Sequence, residues 1–321
     1  MLIFFLFLGP VQSEAQITGT LATQPLEIFV STELPLTSWS LDMIRTTFEK
    51  TLQRKVSILL KDSLRNILSY DFATETLILA DDVNVSNISS RQKISPAIEF
   101  PIIWVLVYRK ETFSKLATST PQNLEGFINI LRILRAKNSD FFPWFEGLFN
   151  KVSLYCIQTE LSFPNSGKNS KVVDNNLSAN KNEVDSFFHQ ILGENLLNPL
   201  SIEADENLAF EVFEAGDTAF TSMWIPEYAI DHPELLYLDC QTDWMGFPGA
   251  TNFLPIPQLK LKLFSIDSTT HLPSKLGLTI NRPFQSSLAS ERFCPYSATN
   301  AQEWVRSEFS SLYKKIVMGE P

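Results

Sequence analysis

Cysteine is scarce. Only Cys156, Cys240 and Cys294 occur, and none has CxxC or CxxH spacing. A disulfide framework is excluded, and no structural zinc motif is present. At most one disulfide can form, its pairing is not legible, and free or buried thiols are the ordinary outcome. Histidine is equally rare, at His189, His232 and His271 in unrelated contexts. The HExxH, GxSxG, GxxxxGK[ST] and GxGxxG signatures are all missing. Carboxylate neighbours such as Asp81 and Asp82 do not replace them. Adjacent side chains on one segment point apart, whereas a glycosidase sets its two carboxyl groups across the scissile bond. With no general base in an identifiable context, the chain reads as non-catalytic, with no metal and no cofactor. Positive charge is also short. Net charge is −10 and no Lys/Arg run exceeds two residues, which excludes nucleic acid as a partner because phosphate binding needs a basic footprint. No apolar run approaches the roughly 20 residues of a membrane-spanning helix.

What is abundant is aromatic: 25 Phe, 7 Tyr and 6 Trp in 321 residues, with 44% hydrophobic residues overall. That excludes simple disorder, and the length suits two domains of about 150 residues. Leu2 to Leu8 is a short apolar run broken by Gly9 and Pro10. Ser13-Glu14-Ala15 then offers small residues before Gln16. Residues 1–15 therefore read as a secretory signal peptide, which implies a periplasmic or extracellular location. Asn84, Asn87 and Asn176 stand in Asn-x-Ser sequons.

Strands and helices alternate. Leu26–Val30 and Val56–Leu60 have strand character and flank a helical spacing of Leu41, Ile44, Phe48 and Leu52. This is a βαβ unit, with parallel strands and a right-handed crossover. Further strands are expected at Thr76–Ala80, Ile102–Val107, Ala219–Trp224 and Leu276–Ile280. Pro121 is expected to open a helix running to Ala136. Further helices are expected at Glu183–Leu192, at Asp205–Glu214 with Gly216 as terminator, and at Ala301–Met318. Pro164 to Asn182 reads as an exposed loop, and Pro248 to Pro257 as a loop with one short strand. Trp104 reads as core, Trp39 as a residue stapling a helix start, and Trp244 as a possible rim residue beside Asp243. No internal repeat is visible.

The order of these pieces resembles the extracellular solute-binding proteins of ABC importers, nearest the sugar-binding branch that includes maltose-binding protein. The first βα unit, Leu26–Val30 then Trp39–Lys50, is similar to theirs. Pro101 to Lys110 resembles the family's strand into "YNK", with Arg109 where Asn is usual. Thr120-Pro-Gln-Asn-Leu-Glu-Gly-Phe127 resembles the "P-x-T-W-E-E-F" helix start. Phe213-Glu-Ala-Gly216 through Trp224 resembles "F-x-x-G-x-A-A-M" leading to a cleft tryptophan, and Gln302 to Pro321 resembles the closing helix.

The resemblance implies an α/β, two-lobed periplasmic-binding-protein-like fold of type II, hinged around a central cleft. Residues 16–107 and 273–294 would form the first lobe, and 108–272 and 295–321 the second. Crossing strands are expected near Tyr108 and within Leu259 to Lys275. It further implies a monomeric receptor for a small molecule, a sugar or oligosaccharide, delivered to ABC permease subunits. Ligands of open α/β sheets lie beyond the carboxyl ends of strands, which points to Glu33, Asp81 and Asp82 as hydroxyl acceptors. Sugar CH faces want aromatic planes, which points to Phe142, Trp144, Trp224 and Trp304. Two alternatives stand beside this: a degenerate interaction or sensory subunit without a transport ligand, and a glycoside hydrolase.

Overall fold

The computed structural model describes residues 25–32, 34–61, 76–81, 96–116, 119–121, 123–148, 156–157, 181–227, 242–248, 256–265 and 293–295. The first unit is the expected βαβ. Strand β1 (Leu26–Ser31) is flanked by parallel partners β2 (Val56–Lys61) and β3 (Thr76–Asp81). Its near-continuous apolar sequence suits a strand covered on both faces. Between β1 and β2 runs helix α1 (Ser38–Leu52). Thr37 caps it, its hydroxyl accepting from the Ser40 amide at 3.1 Å, so one of the orphan first-turn donors is satisfied.

Strand β4 (Pro96–Arg109) organises everything else. Fourteen residues in extended geometry reach about 46 Å, long enough to serve two half-sheets. Residues 96–103 pair with the antiparallel β7 (Ile256–Ser265), which in turn pairs with β3. Residues 102–108 pair on the opposite edge with β5 (Phe220–Pro226), and 106–109 pair with β6 (Thr242–Met245) in line with β7. The result is a continuous sheet ordered β2-β1-β3-β7-β4-β5, with β6 on β4 and the short β8 (Phe293–Pro295) on β7. The first half carries α1. The second carries α2 (Lys110–Leu116), α3 (Leu124–Lys137), α4 (Lys181–Gly193), a short 3-10 helix (Pro199–Ile202) and α5 (Glu206–Ala215).

Alternation along β4 divides the core. Ile102, Trp104, Leu106 and Tyr108 join Phe220, Trp224, Phe127 and Trp144 in the larger apolar cluster. Ile103, Val105 and Val107 point the other way and meet Met223, Ile225, Phe210 and Phe213, together with Trp39 and Met43 of α1. A strand this apolar at every position has to be covered on both faces.

Several expectations shift. The helix expected from Pro121 begins at Leu124, because Asn123 takes the cap, its side chain accepting from the Gly126 amide at 2.8 Å. The loop expected through Pro257 gives way to β7 from Ile256, in which Leu259, Leu261 and Leu263 are buried while Lys260 is exposed. Residues 256–265 are paired between β3 and β4. Helix α5 is as read: Asp205 accepts from the Leu208 amide, and Gly216 (φ 88°) ends the helix with its N–H on Phe213. The signal segment, the sequons, most of the loop from Pro164, the strand at Leu276–Ile280 and the closing helix lie outside the described residues. Among the described residues, no helix is long and apolar enough to cross a membrane.

Candidate functional site

The two halves of the sheet meet where β4 leaves β7 for β5. Ile102 is opposite both Leu259 and Pro226. The carboxyl ends of β1 and β3, Ser31 and Asp81, stop at nearly one level, since Val30 is opposite Leu79 and Asp81 is opposite Leu261. Loops leaving a parallel sheet at such ends are its usual ligand-binding elements. At the same junction, the part-buried carboxamide of Gln258 on β7 donates to the carboxyl of Glu227, just past β5. Neither residue stood out in the sequence. A Glu after Ile-Pro has no local signal, and the pair exists only because β4 brings β5 and β7 together.

The seven residues expected at the cleft are not placed alike. Glu33, Asp82 and Trp304 lie outside the described residues. Asp81 is the last residue of β3. Trp144 and Trp224 belong to one apolar cluster, with exposures of 0% and 1%. As placed, neither presents a face to solvent. Trp144 packs edge-on against Phe127 (5.5 Å) and tilted against Phe247 (5.8 Å), while its indole N–H donates to Glu146 at 3.0 Å. Trp224 stands opposite Trp104 across the β4–β5 ladder. The reason is topological. The segment at 143–145 runs beside β5, where Phe145 donates to the Phe220 carbonyl and Phe220 to that of Pro143, so its inward residues meet the sheet. Phe142 is half-buried, with the Arg135 guanidinium 4.6 Å from its ring centre. Such a cation–π contact is worth up to about 1 kcal/mol at an exposed site.

Glu146 is the polar residue beneath this region. It is fully buried, and its Oε2 accepts from both Trp144 Nε1 and the Ser222 amide, each at 3.0 Å. Its own amide donates to Ser201 Oγ at 3.0 Å. It therefore ties the aromatic segment to β5 and to the 3-10 helix. A single acid closing an aromatic run was the only trace of it in the sequence.

Arg109 and Tyr108 end β4 with opposite chemistry. Arg109 Nη2 donates to the carbonyls of Phe213 and Glu214 at 2.6 and 2.7 Å, and the guanidinium lies 5.3 Å from the Phe213 ring centre. A cation at a helix C-terminus satisfies orphan carbonyls and complements the dipole. Tyr108 packs edge-on to Phe113 at 4.7 Å. Burial, followed by the charge and hydrogen bond of Asp243, pushes its phenol up to about 12. Trp244, considered as a rim residue, is half-buried against the second apolar cluster. Trp39, considered as a local staple, instead stacks on Phe210 of α5 with ring centres 5.6 Å apart. Among the described residues, no group of three or more His, Cys, Asp or Glu could hold a metal ion.

No protein-family model and no curated protein sequence matches this chain. Solved structures do. The maltose-bound MalE3 of T. maritima superposes with a TM-score of 0.54 at 11% identity, covering 92% of this chain and 96% of that one. The SBP RafE in complex with raffinose superposes with a TM-score of 0.54 at 10% identity, with the same coverages. At such identities the likeness is one of fold, and it runs almost end to end in both chains. The chain has the mixed α/β, two-lobed fold of the type II solute-binding proteins.

Proposed function

We propose that the protein is a non-catalytic receptor that takes a carbohydrate or similar polyol between its lobes and delivers it to the permease of an ABC importer. The observation that carries this reading is the near full-length likeness of fold to one maltose-bound and one raffinose-bound protein. The reading includes export with residues 1–15 removed, a periplasmic or extracellular location, and action as a monomer. Glu33, Asp81 and Asp82, at or just after the carboxyl ends of β1 and β3, are the proposed hydroxyl acceptors, and Trp304 and Phe142 the proposed stacking surfaces. Trp144 and Trp224 would act from beneath, holding the walls in place. Gln258 and Glu227 supply a carboxamide and a carboxyl at the junction of the half-sheets.

A second reading, an interaction or sensory subunit that carries no solute, is favoured by one observation. Trp39 and Met43 of α1 pack on residues of the second half-sheet, so the chain's own side chains already join the lobes there. Thermal-shift and calorimetric titration against mono- and oligosaccharides separates the two. A ligand at 100 times its Kd should add about 2.7 kcal/mol of stability. If no sugar, polyol or other small solute stabilises a cooperatively folded sample, the receptor reading fails and the second stands.

A further inference from the structure

We propose that the first turn of α1 is an interlobe latch, which holds the two lobes together through contacts the chain makes with itself. The inference rests on the two-lobed fold and needs no assignment of the solute. Three contacts from the first helical turn, and a fourth one turn on, reach the other lobe. The Ser38 amide donates to the side-chain oxygen of Asn207 on α5 at 3.0 Å. The Ser40 hydroxyl donates to the backbone carbonyl of Trp224 on β5 at 2.5 Å, and lies 2.9 Å from the capping hydroxyl of Thr37. The Trp39 ring stacks on Phe210 with an interplanar angle of 21°. Met43, one turn on, is buried with Met223 and Ile225.

The opposite face of the same helix belongs to its own lobe. Leu41, Ile44 and Phe48 share a cluster with Leu26, Ile28 and Val30 of β1. The spacing makes both attachments possible: positions 41, 44 and 48 form one stripe, and 39 and 43 form another on the far side of the helix. A helix anchored on two bodies transmits any hinge motion to its contacts, so the lobes cannot part without separating Trp39 from Phe210 and Ser40 from Trp224. The N-terminal amides of a helix have no partner within the helix. An asparagine on a different element therefore gives the Ser38 amide an acceptor only while the lobes are together.

The consequence is a closed population set by the protein itself. A solute that enters through an open form meets only the open fraction, which lowers its apparent affinity by that fraction. Loosening the latch should therefore open the molecule and speed solute entry. The experiment uses the full chain without added solute. Small-angle scattering compares wild type with Trp39→Ala, and hydrogen exchange follows the Ser38 amide in wild type and in Asn207→Ala. A compact chain of this length has a radius of gyration of about 20 Å. Trp39→Ala should exceed the wild-type radius while keeping a cooperative melt, and the Ser38 amide should exchange faster in Asn207→Ala. The latch is overturned if Trp39→Ala stays folded and scatters as wild type does, or if Ser38 exchanges equally fast in both proteins. Should Trp39→Ala lose its cooperative melt, the exchange result on Asn207→Ala decides alone. A blank sugar screen leaves this outcome untouched, and failure of the latch leaves the sugar screen untouched.

Discussion

Replacing Glu146 tests the polar joint beneath the aromatic segment. Its carboxyl is fully buried, and one oxygen accepts from two donors, the Trp144 indole and the Ser222 amide. Glu146→Leu has similar bulk and no acceptor, so both donors lose their partner at a fully buried position. Each stranded buried donor costs about 1–3 kcal/mol. The two together should cost about 4 kcal/mol, a large part of a typical stability of roughly 5–15 kcal/mol. Removing an ion pair whole can be nearly neutral; here only the acceptor goes, so that relief is not on offer. Glu146→Gln keeps a carbonyl oxygen that can accept both bonds and should cost about 1–2 kcal/mol. Urea unfolding, followed by tryptophan fluorescence and circular dichroism, reads the order wild type, Gln, Leu at unchanged slope, since the exposed surface is nearly constant. If Glu146→Leu unfolds within about 0.5 kcal/mol of wild type, the scale of an ordinary surface change, the two hydrogen bonds do not hold the segment and the reasoning is refuted.

Gly147→Ala should destabilise more steeply than a surface exchange. The added Cβ would lie 2.6 Å from the Glu206 amide nitrogen and 2.7 Å from two further backbone atoms, and overpacking against rigid backbone costs about 1–3 kcal/mol, measurable as a lowered urea midpoint. Gly216→Ala puts a side chain on the left-handed residue ending α5 (φ 88°) and should cost about 1–2 kcal/mol by the same assay. Tyr108 predicts a pH effect. Its folded pKa stands above the unfolded value of 10, at about 12, so the folded state holds the proton longer. The associated stability is intact below pH 10 and is lost as pH rises toward 12. Tyr108→Phe should remove that alkaline slope in melts collected from pH 9 to 12; an identical slope in both proteins assigns the loss to other groups.

The legible parts of the site are those fixed by neighbours in sequence. Asp205 and Gly216 bracket a helix because an acid can cap and a glycine can turn left-handed, and both do so. The end of β3 at Asp81 followed from an apolar run meeting two acids. The aromatics were harder. Trp144 and Trp224 suit a sugar face by composition, and both lie in the apolar cluster, Trp144 through the pairing of the segment at 143–145 with β5 and Trp224 through its pairing with Trp104 on β4. An indole serves equally well as a platform or as core, and composition cannot separate the two. Arg109, which departs from the pattern that Tyr108-Arg109-Lys110 otherwise resembles, turned out to hold the C-terminus of α5, a role set by a partner 104 residues away.

By itself the sequence determined the alternation of strands and helices, the parallel β1-β2 unit and the caps of α5, because each rests on periodicity or on the backbone preference of one residue type. Tertiary structure alone decided that β4 serves two half-sheets, that β7 lies between β3 and β4, and that α1 bridges the halves through Trp39 and Ser40. Those outcomes depend on which edges and faces meet across a hundred residues or more. Local pattern leaves such encounters open, and close packing of the assembled sheet fixes them.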